Sequence, residues 1–224
     1  MEKHLQELDI FAGLPEEAYE KIIEVADQIE LSEEEVLFHV AEPGDKLYVI
    51  VDGLLKVSRR DPLSEREKTL ALLSKGEIVG EMACMANQGR SGTATAVHDS
   101  RLLAFTKEAF VDLFEKYSQI GLNLFNTLSE RLLQVDNELF NFAFLNIPGR
   151  LVTCLFRLAE KFGREVEDGV KIEVQLTHEQ LASIVGTNRE TITRYLTQLR
   201  EIAALRCESQ NIVLLDRGKL KQWL

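Results

Sequence analysis

The amino-acid sequence predicts an α+β chain in three parts: a β-barrel of jelly-roll type over residues 1–117, one long helix over 118–145, and a winged helix-turn-helix over 146–224. Three observations carry that division. Short apolar runs broken by turn signals fill the stretch from Val36 to Phe105, a heptad repeat follows them, and two capped helices across a glycine turn come next, ahead of two short strands. A length of 224 residues with 45% hydrophobic content is enough to fill two cores.

The stretch "LPEEAYEKIIEVADQIEL" has Pro15 near a helix start, acids early, and Ile22, Ile23, Val25 and Ala26 at helical spacing, which predicts a short opening helix. Strands follow. The runs "VLF", "KLYVIV", "LLKV", "TLALL", "TATAV" and "RLLAF" are separated by "EPGD", "DG", "RRDPLSE", "KGE" and "QGRSG", the punctuation of an all-β barrel. After Thr106 helical periodicity takes over, first in Phe110, Leu113 and Phe114. Phe125, Leu128, Leu132, Val135, Leu139 and Phe142 are then spaced alternately by three and four, a heptad seam on a helix roughly 40 Å long. A seam longer than a small barrel can cover predicts a parallel homodimer.

Asn146 before Pro148 marks a hinge and the cap of the next helix, "NIPGRLVTCLFRLAEKFG", which ends at Gly163. "VKIEVQL" alternates like a strand. Thr177 with Gln180 predicts a capping box, the helix it opens stops at Gly186, and Thr187 with Glu190 repeats the pattern. The tail "ALRCESQNIVLLD" supplies two strands around "ESQN", the wing.

Charge is divided unevenly along the chain. The formal net charge is −11, but residues 1–146 carry −13 and residues 147–224 carry +2, so only the C-terminal third can offer a basic face to nucleic acid. No apolar run approaches the roughly 18 residues of a membrane span, and the acidic start "MEKHLQELD" lacks the basic region of a signal peptide, which predicts a cytoplasmic location. Cys84, Cys154 and Cys207 lie far apart with no CxxC pair, so buried free thiols are expected rather than disulfides or a thiolate metal cage. Nor is there a nucleophile-base set or metal cluster to support an enzyme.

The segment "TNRETITRYL" carries the first functional signal. On a helical wheel Ile192, Leu196 and Leu199 form one narrow apolar stripe, while Glu190, Thr193, Arg194 and Thr197 lie opposite and Arg189 flanks them in the first turn. A glutamate between arginines is poor phosphate glue. It suits base reading, because arginine matches guanine O6 and N7 and a carboxylate accepts from cytosine N4. A second signal lies in "GEIVGEMACMANQGRSGTATAV", where Gly80, Glu81, Arg90, Ser91 and Gly92 could supply a cation, close-approaching donors and an acceptor for a cyclic phosphate and its ribose. The same residues also fit a glycine-rich turn closed by an internal Glu81–Arg90 ion pair.

"IVGTNRETITRYL" resembles the recognition segment R-E-T-x-x-R of the cyclic-AMP receptor protein/fumarate and nitrate reduction regulator (CRP/FNR) superfamily, and the order of barrel, long helix and winged helix extends the resemblance over nearly the whole chain. The resemblance implies a homodimeric transcription regulator gated by an effector, with double-stranded DNA and RNA polymerase as partners. It implies that Arg189, Glu190 and Arg194 read palindromic half-sites similar to TGTGA, that Thr193 shares their face, and that Thr177, His178 and Asn188 meet phosphates. The barrel stretch looks like a phosphate-binding cassette, which implies Glu81 on the ribose 2′-OH, Arg90 on the phosphate, Ser91 with backbone N–H groups around it, and cyclic AMP or cyclic GMP as the effector. The family places a threonine and a serine of the long helix on the purine, and counting back from Ala143 to Leu145 puts Val135 and Asp136 there. Neither carries a hydroxyl. Asp136 could instead accept from guanine N1–H and N2–H₂ with Asn137 beside it, or stand outside the pocket in solvent. An iron–sulfur sensor needs an N-terminal cysteine cluster that residues 1–83 lack, and a haem sensor finds Cys84 but no convincing partner among His4, His39, His98 and His178, so a small organic effector is the main competing expectation, with haem or a gas ranked below it.

Overall fold

The computed structural model describes residues 5–208 and 211–224. The chain divides into two units, Met1–Arg59 with Leu70–Gln134, and Arg60–Thr69 with Val135–Leu224.

In the first unit a 3₁₀ turn, Asp9–Phe11, leads to helix α1, Glu16–Val25, which starts directly after Pro15 and buries Ala18, Tyr19 and Ile22. The helix stops earlier than the apolar spacing suggested. Asp27–Leu31 forms strand β1 instead, paired antiparallel with the later strand Thr93–Thr106 from Asp27↔Ala104 to Leu31↔Ser100. Pairing decides this segment, because "DQIEL" alternates polar and apolar residues and so also fits a half-buried strand. Next come β2 (Val36–Phe38), β3 (Lys46–Arg60), β4 (Glu67–Ser74), β5 (Ile78–Val79), the short helix α2 (Glu81–Ala86) and β6 (Thr93–Thr106). The six strands form one sheet in the order β1-β6-β3-β4, with β2 on β6 and β5 on β3.

Strands β3 and β6 are buried on both faces. Leu47, Val49, Leu103 and Phe105 join one core with Phe11, Ile22 and Phe110, while the alternate residues Tyr48, Ile50, Leu102 and Ala104 join another with Leu31, Phe38 and Ala94. Helix α3, Lys107–Lys116, is capped by Thr106 and buries Phe110 and Leu113. Helix α4, Ser118–Phe144, runs on for 27 residues and buries only Ile120. All six seam residues lie open on this protomer, with Phe125, Leu132 and Leu139 each more than three-fifths exposed.

The second unit takes the last third of α4 and then α5, Ile147–Phe162, where the Asn146 side chain accepts from Gly149 N at 3.0 Å as the cap. A hairpin of β7 (Gly163–Val166) and β8 (Gly169–Ile172) follows, where the sequence suggested one strand over 170–176. Helices α6 (His178–Val185) and α7 (Arg189–Glu201) and strands β9 (Leu205–Glu208) and β10 (Asn211–Leu214) complete the winged helix-turn-helix, and α8 (Arg217–Lys221) closes the chain. The sheet order is β7-β8-β10-β9. The wing's expected turn falls on Ser209 and Gln210, outside the described residues. The tip Arg60–Thr69 of the β3–β4 hairpin is grouped with this unit, where Lys68 Nζ donates to Ile184 O at 2.6 Å.

Capping sets the register of the two recognition elements. Thr177 forms a complete capping box: its Oγ1 accepts from Gln180 N at 3.1 Å, and Gln180 Oε1 accepts from Thr177 N at 2.8 Å. Thr177→Ala is therefore expected to cost about 1 kcal/mol in urea unfolding. For α7 the cap is Asn188, not Thr187: Asn188 Oδ1 accepts from Thr191 N at 2.8 Å. The helix thus begins at Arg189, one residue later than a Thr187 cap would start it. Among the cysteines, Cys84 and Cys154 are buried as expected, but Cys207 is exposed on β9. Burial pushes the Cys154 thiol up to about 11, so it remains protonated at neutral pH.

Candidate functional site

In the first unit the site is built around Arg90. Its guanidinium is buried, with 2% of the side chain exposed, and sits over the Phe38 ring at 4.3 Å and the Tyr48 ring at 5.6 Å. Nη1 donates to Lys46 O at 2.8 Å and to Gly80 O at 2.9 Å. Nε is buried and, among the described residues, has no hydrogen-bond partner. A carboxylate, that of the exposed Asp45, comes only to 4.0 Å of Nη2. A buried cation whose direct hydrogen bonds go to neutral carbonyls, with carboxylates only at longer range, retains capacity to bind an anion.

Gly80 and Gly92 let the backbone come this close. Gly80 has φ +83°, and a Cβ there would fall 2.4 Å from Arg90 Nη1; at Gly92 a Cβ would meet Val57 Cγ1 at 2.8 Å. Ser91 between Arg90 and Gly92 is exposed. The expected Glu81–Arg90 ion pair is not what holds Glu81. Its Oε1 accepts from Arg131 Nη1 at 2.8 Å, and Arg131 Nη2 also donates to Ile78 O. Burial raises the Glu81 carboxyl above its usual range, and the Arg131 guanidinium opposes that rise. Arg131 is the residue that sequence reasoning missed, since it stands off the seam of α4 and lies 50 positions from its partner. Val135, Asp136 and Asn137 are exposed on α4 in the portion that belongs to the second unit.

In the second unit Ile192, Leu196 and Leu199 are buried, so α7 is pinned by the predicted stripe and presents the opposite face. Arg189, Glu190, Thr193 and Arg194 line one open groove together with Thr197, Gln198 and Glu201. The first four were expected there; Gln198 and Glu201 extend the face by a further turn. Arg194 lies over the Tyr195 ring at 4.8 Å. A neighbouring hollow is lined by Thr177, His178, Glu179, Arg189, Cys207 and Asn211, among others, so Arg189 belongs to both. His178 Nδ1 is 2.8 Å from Thr193 Oγ1, which donates to Arg189 O at 2.9 Å. Thr177, His178, Asn188, Arg189, Glu190, Thr193 and Arg194 therefore cluster at the start of α7. No helix among the described residues is long and apolar enough to cross a membrane.

An exposed second helix, a cap that starts it at Arg189 and a wing strand beside it define a winged helix-turn-helix of the kind that inserts a helix into the DNA major groove. Two family models match the chain, the cyclic nucleotide-binding domain over residues 28–117 and the Crp-like helix-turn-helix domain over 149–223. The chain is 31% identical over 186 residues to the cyclic AMP receptor protein of Thermus thermophilus, covering 83% of this chain and 82% of that one. It is 27% identical over 220 residues, 98% of both chains, to the CRP-like cAMP-activated global transcriptional regulator of Mycobacterium tuberculosis. Its fold is similar to that of the c-di-GMP responsive global regulator CLP of Xanthomonas campestris, with a TM-score of 0.78 and 22% identity over 89% of this chain and 99% of that one. The chain belongs to the CRP/FNR family of DNA-binding transcription regulators.

Proposed function

We propose that the chain is a homodimeric regulator whose binding to a DNA palindrome is gated by a cyclic nucleotide, cyclic AMP or cyclic GMP, held at Arg90 and Glu81. The carrying observation is the buried Arg90 guanidinium with its unpartnered Nε, a charge in want of an anion. The phosphate binds Arg90, Ser91 and the adjacent backbone, and Glu81, kept in place by Arg131, accepts from the ribose 2′-OH. Relatives described as cAMP-activated support this reading. The exposed seam of α4 is covered by the same seam of a second protomer, and effector binding shifts the population toward dimers whose recognition helices stand about one DNA turn, ~34 Å, apart. Such a regulator acts with RNA polymerase as its partner. A thermal-shift screen of cyclic AMP, cyclic GMP, c-di-GMP, haem and small organic acids tests the effector. Stabilisation by organic acids but by no nucleotide would transfer the site to the second reading.

That second reading is a non-nucleotide effector, and the observation favouring it is that Val135 and Asp136 lack the hydroxyls that the family sets on the purine. Calorimetry separates the cases. A guanine contact by Asp136 makes cyclic GMP bind better relative to cyclic AMP, and Asp136→Ala then removes the difference; an unchanged ratio puts Asp136 in solvent.

On DNA, Arg189, Glu190 and Arg194 read TGTGA-like half-sites while Thr177, Asn188 and His178 contact phosphates. Arg189→Ala and Arg194→Ala should each lose ~1–3 kcal/mol and relax preference at one base pair per half-site. A randomised-operator selection measures this, and full retention of the wild-type preference by Arg189→Ala would take that residue off the reading face.

A further inference from the structure

The structure points to His178 as a proton-linked phosphate contact: each half-site takes up a proton when DNA binds. We propose this on the strength of the His178–Thr193–Arg189 chain of hydrogen bonds, and it rests on the DNA-binding reading given above.

A hydroxyl has one proton. We assign that proton to the bond from Thr193 Oγ1 to Arg189 O at 2.9 Å, which makes Oγ1 the acceptor toward His178, 2.8 Å away. The imidazole must therefore place a proton on Nδ1. In the neutral ring that leaves Nε2 as a bare acceptor, and a phosphate oxygen is an acceptor too, so neutral His178 cannot bind it. Protonation adds an Nε2–H donor and a positive charge without disturbing the Nδ1–H to Thr193 bond. Only the imidazolium is a phosphate ligand here.

His178 opens α6 and is half-buried in the hollow it shares with Thr177, Arg189 and Asn211. The charged and titratable groups facing it are Glu179 on its own helix, Arg189 on α7 and Cys207 on β9. Although Cys207 is exposed, partial desolvation of its thiol raises it, so that group stays neutral across the histidine range. A DNA phosphate at Nε2 then raises the proton affinity of the bound histidine above that of the free one. The gain in DNA affinity is present where the DNA-bound imidazole holds its second proton, and it is lost as rising pH removes that proton.

The test is fluorescence anisotropy at fixed ionic strength between about pH 5.5 and 8.5. The probes are a duplex of about 30 base pairs carrying two TGTGA half-sites and a scrambled duplex of equal length, each with and without cyclic AMP. Wild-type affinity should rise by up to about tenfold per unit fall in pH for each engaged half-site, on both duplexes, because phosphates are common to both. His178→Gln should be flat with pH at the weak, high-pH level of the wild type, and His178→Arg flat at the tight, low-pH level. A merely structural clamp on Thr193 would instead weaken both variants alike and leave the slope intact. A flat wild-type profile, or a slope that survives in His178→Gln, overturns the proposal. The base-reading assignment fails separately: equal binding of both duplexes, unaffected by Arg189→Ala, removes it while leaving the pH slope to judge His178. Binding of neither duplex at any pH overturns both.

Discussion

Arg90→Ala is expected to abolish calorimetric binding of cyclic AMP and cyclic GMP together, a loss of ~2–5 kcal/mol or roughly 30- to several thousand-fold. The phosphate is common to the two nucleotides, and Arg90 is the more deeply buried of the site's two arginines, 2% exposed against 24% for Arg131; Nε of each is left over, but Arg131 is already paired with Glu81. Its Nη1 also ties Lys46 O to Gly80 O, so alanine loosens the turn before α2 as well as removing the charge. Arg90→Lys separates the two effects. The ammonium keeps the charge but not the planar fork, so this variant should unfold near the wild-type temperature yet bind each nucleotide much more weakly. Wild-type nucleotide affinity in a folded Arg90→Ala would dismiss the phosphate assignment. Gly80→Ala supplies a second check, since φ +83° and a Cβ at 2.4 Å from Nη1 must displace the guanidinium from its present place.

Leu132→Glu with Leu139→Glu is expected to turn a dimer into a folded monomer of 25.4 kDa, read by sedimentation at micromolar concentration. Both side chains are 63% exposed on the protomer, and glutamate is a good helix former, so the protomer itself loses almost nothing. In a paired seam each leucine contributes ~1.5–3 kcal/mol by burial, and a carboxylate in its place adds an unpaired buried charge. With four such sites per dimer the change exceeds what a micromolar dimer can absorb. The variant should also lose the palindrome and keep weak binding to one half-site. An undiminished dimer would show that another face of the chain forms the interface.

Much of the fold was readable from local sequence. The barrel's strands announced themselves by turn residues, α4 by a seam spaced three and four, and α5 and α6 by Asn146 and the Thr177–Gln180 box, because caps, turns and periodicities act within a few residues of the chain. The polar face of α7 was equally legible, since one buried stripe fixes the opposite side of a helix. Register over one residue was harder: Thr187 and Asn188 are both good caps, and only the bond to Thr191 N selected Asn188. The strand β1 and the hairpin β7–β8 were missed because a strand is stabilised by partners distant in sequence, as Asp27 is by Ala104.

The composition of both sites was determined by the sequence, while their electrostatics belonged to the tertiary structure. "GE" and "RSG" put Glu81 and Arg90 nine positions apart, and attraction between opposite charges suggested that they pair. Folding instead carried Arg131 of α4 to Glu81 and set Arg90 on two carbonyls and two rings, with Asp45 at 4.0 Å and Nε unspent. Likewise "TH" and "RETIT" named His178 and Thr193, but only the packing of α6 on α7 set His178 Nδ1 at 2.8 Å from a hydroxyl that also reaches Arg189 O. The physical reason is the same in both places. A side chain's type follows from the sequence, but the groups that compete for its protons and compensate its charge are brought from far along the chain, and burial decides how strongly they count.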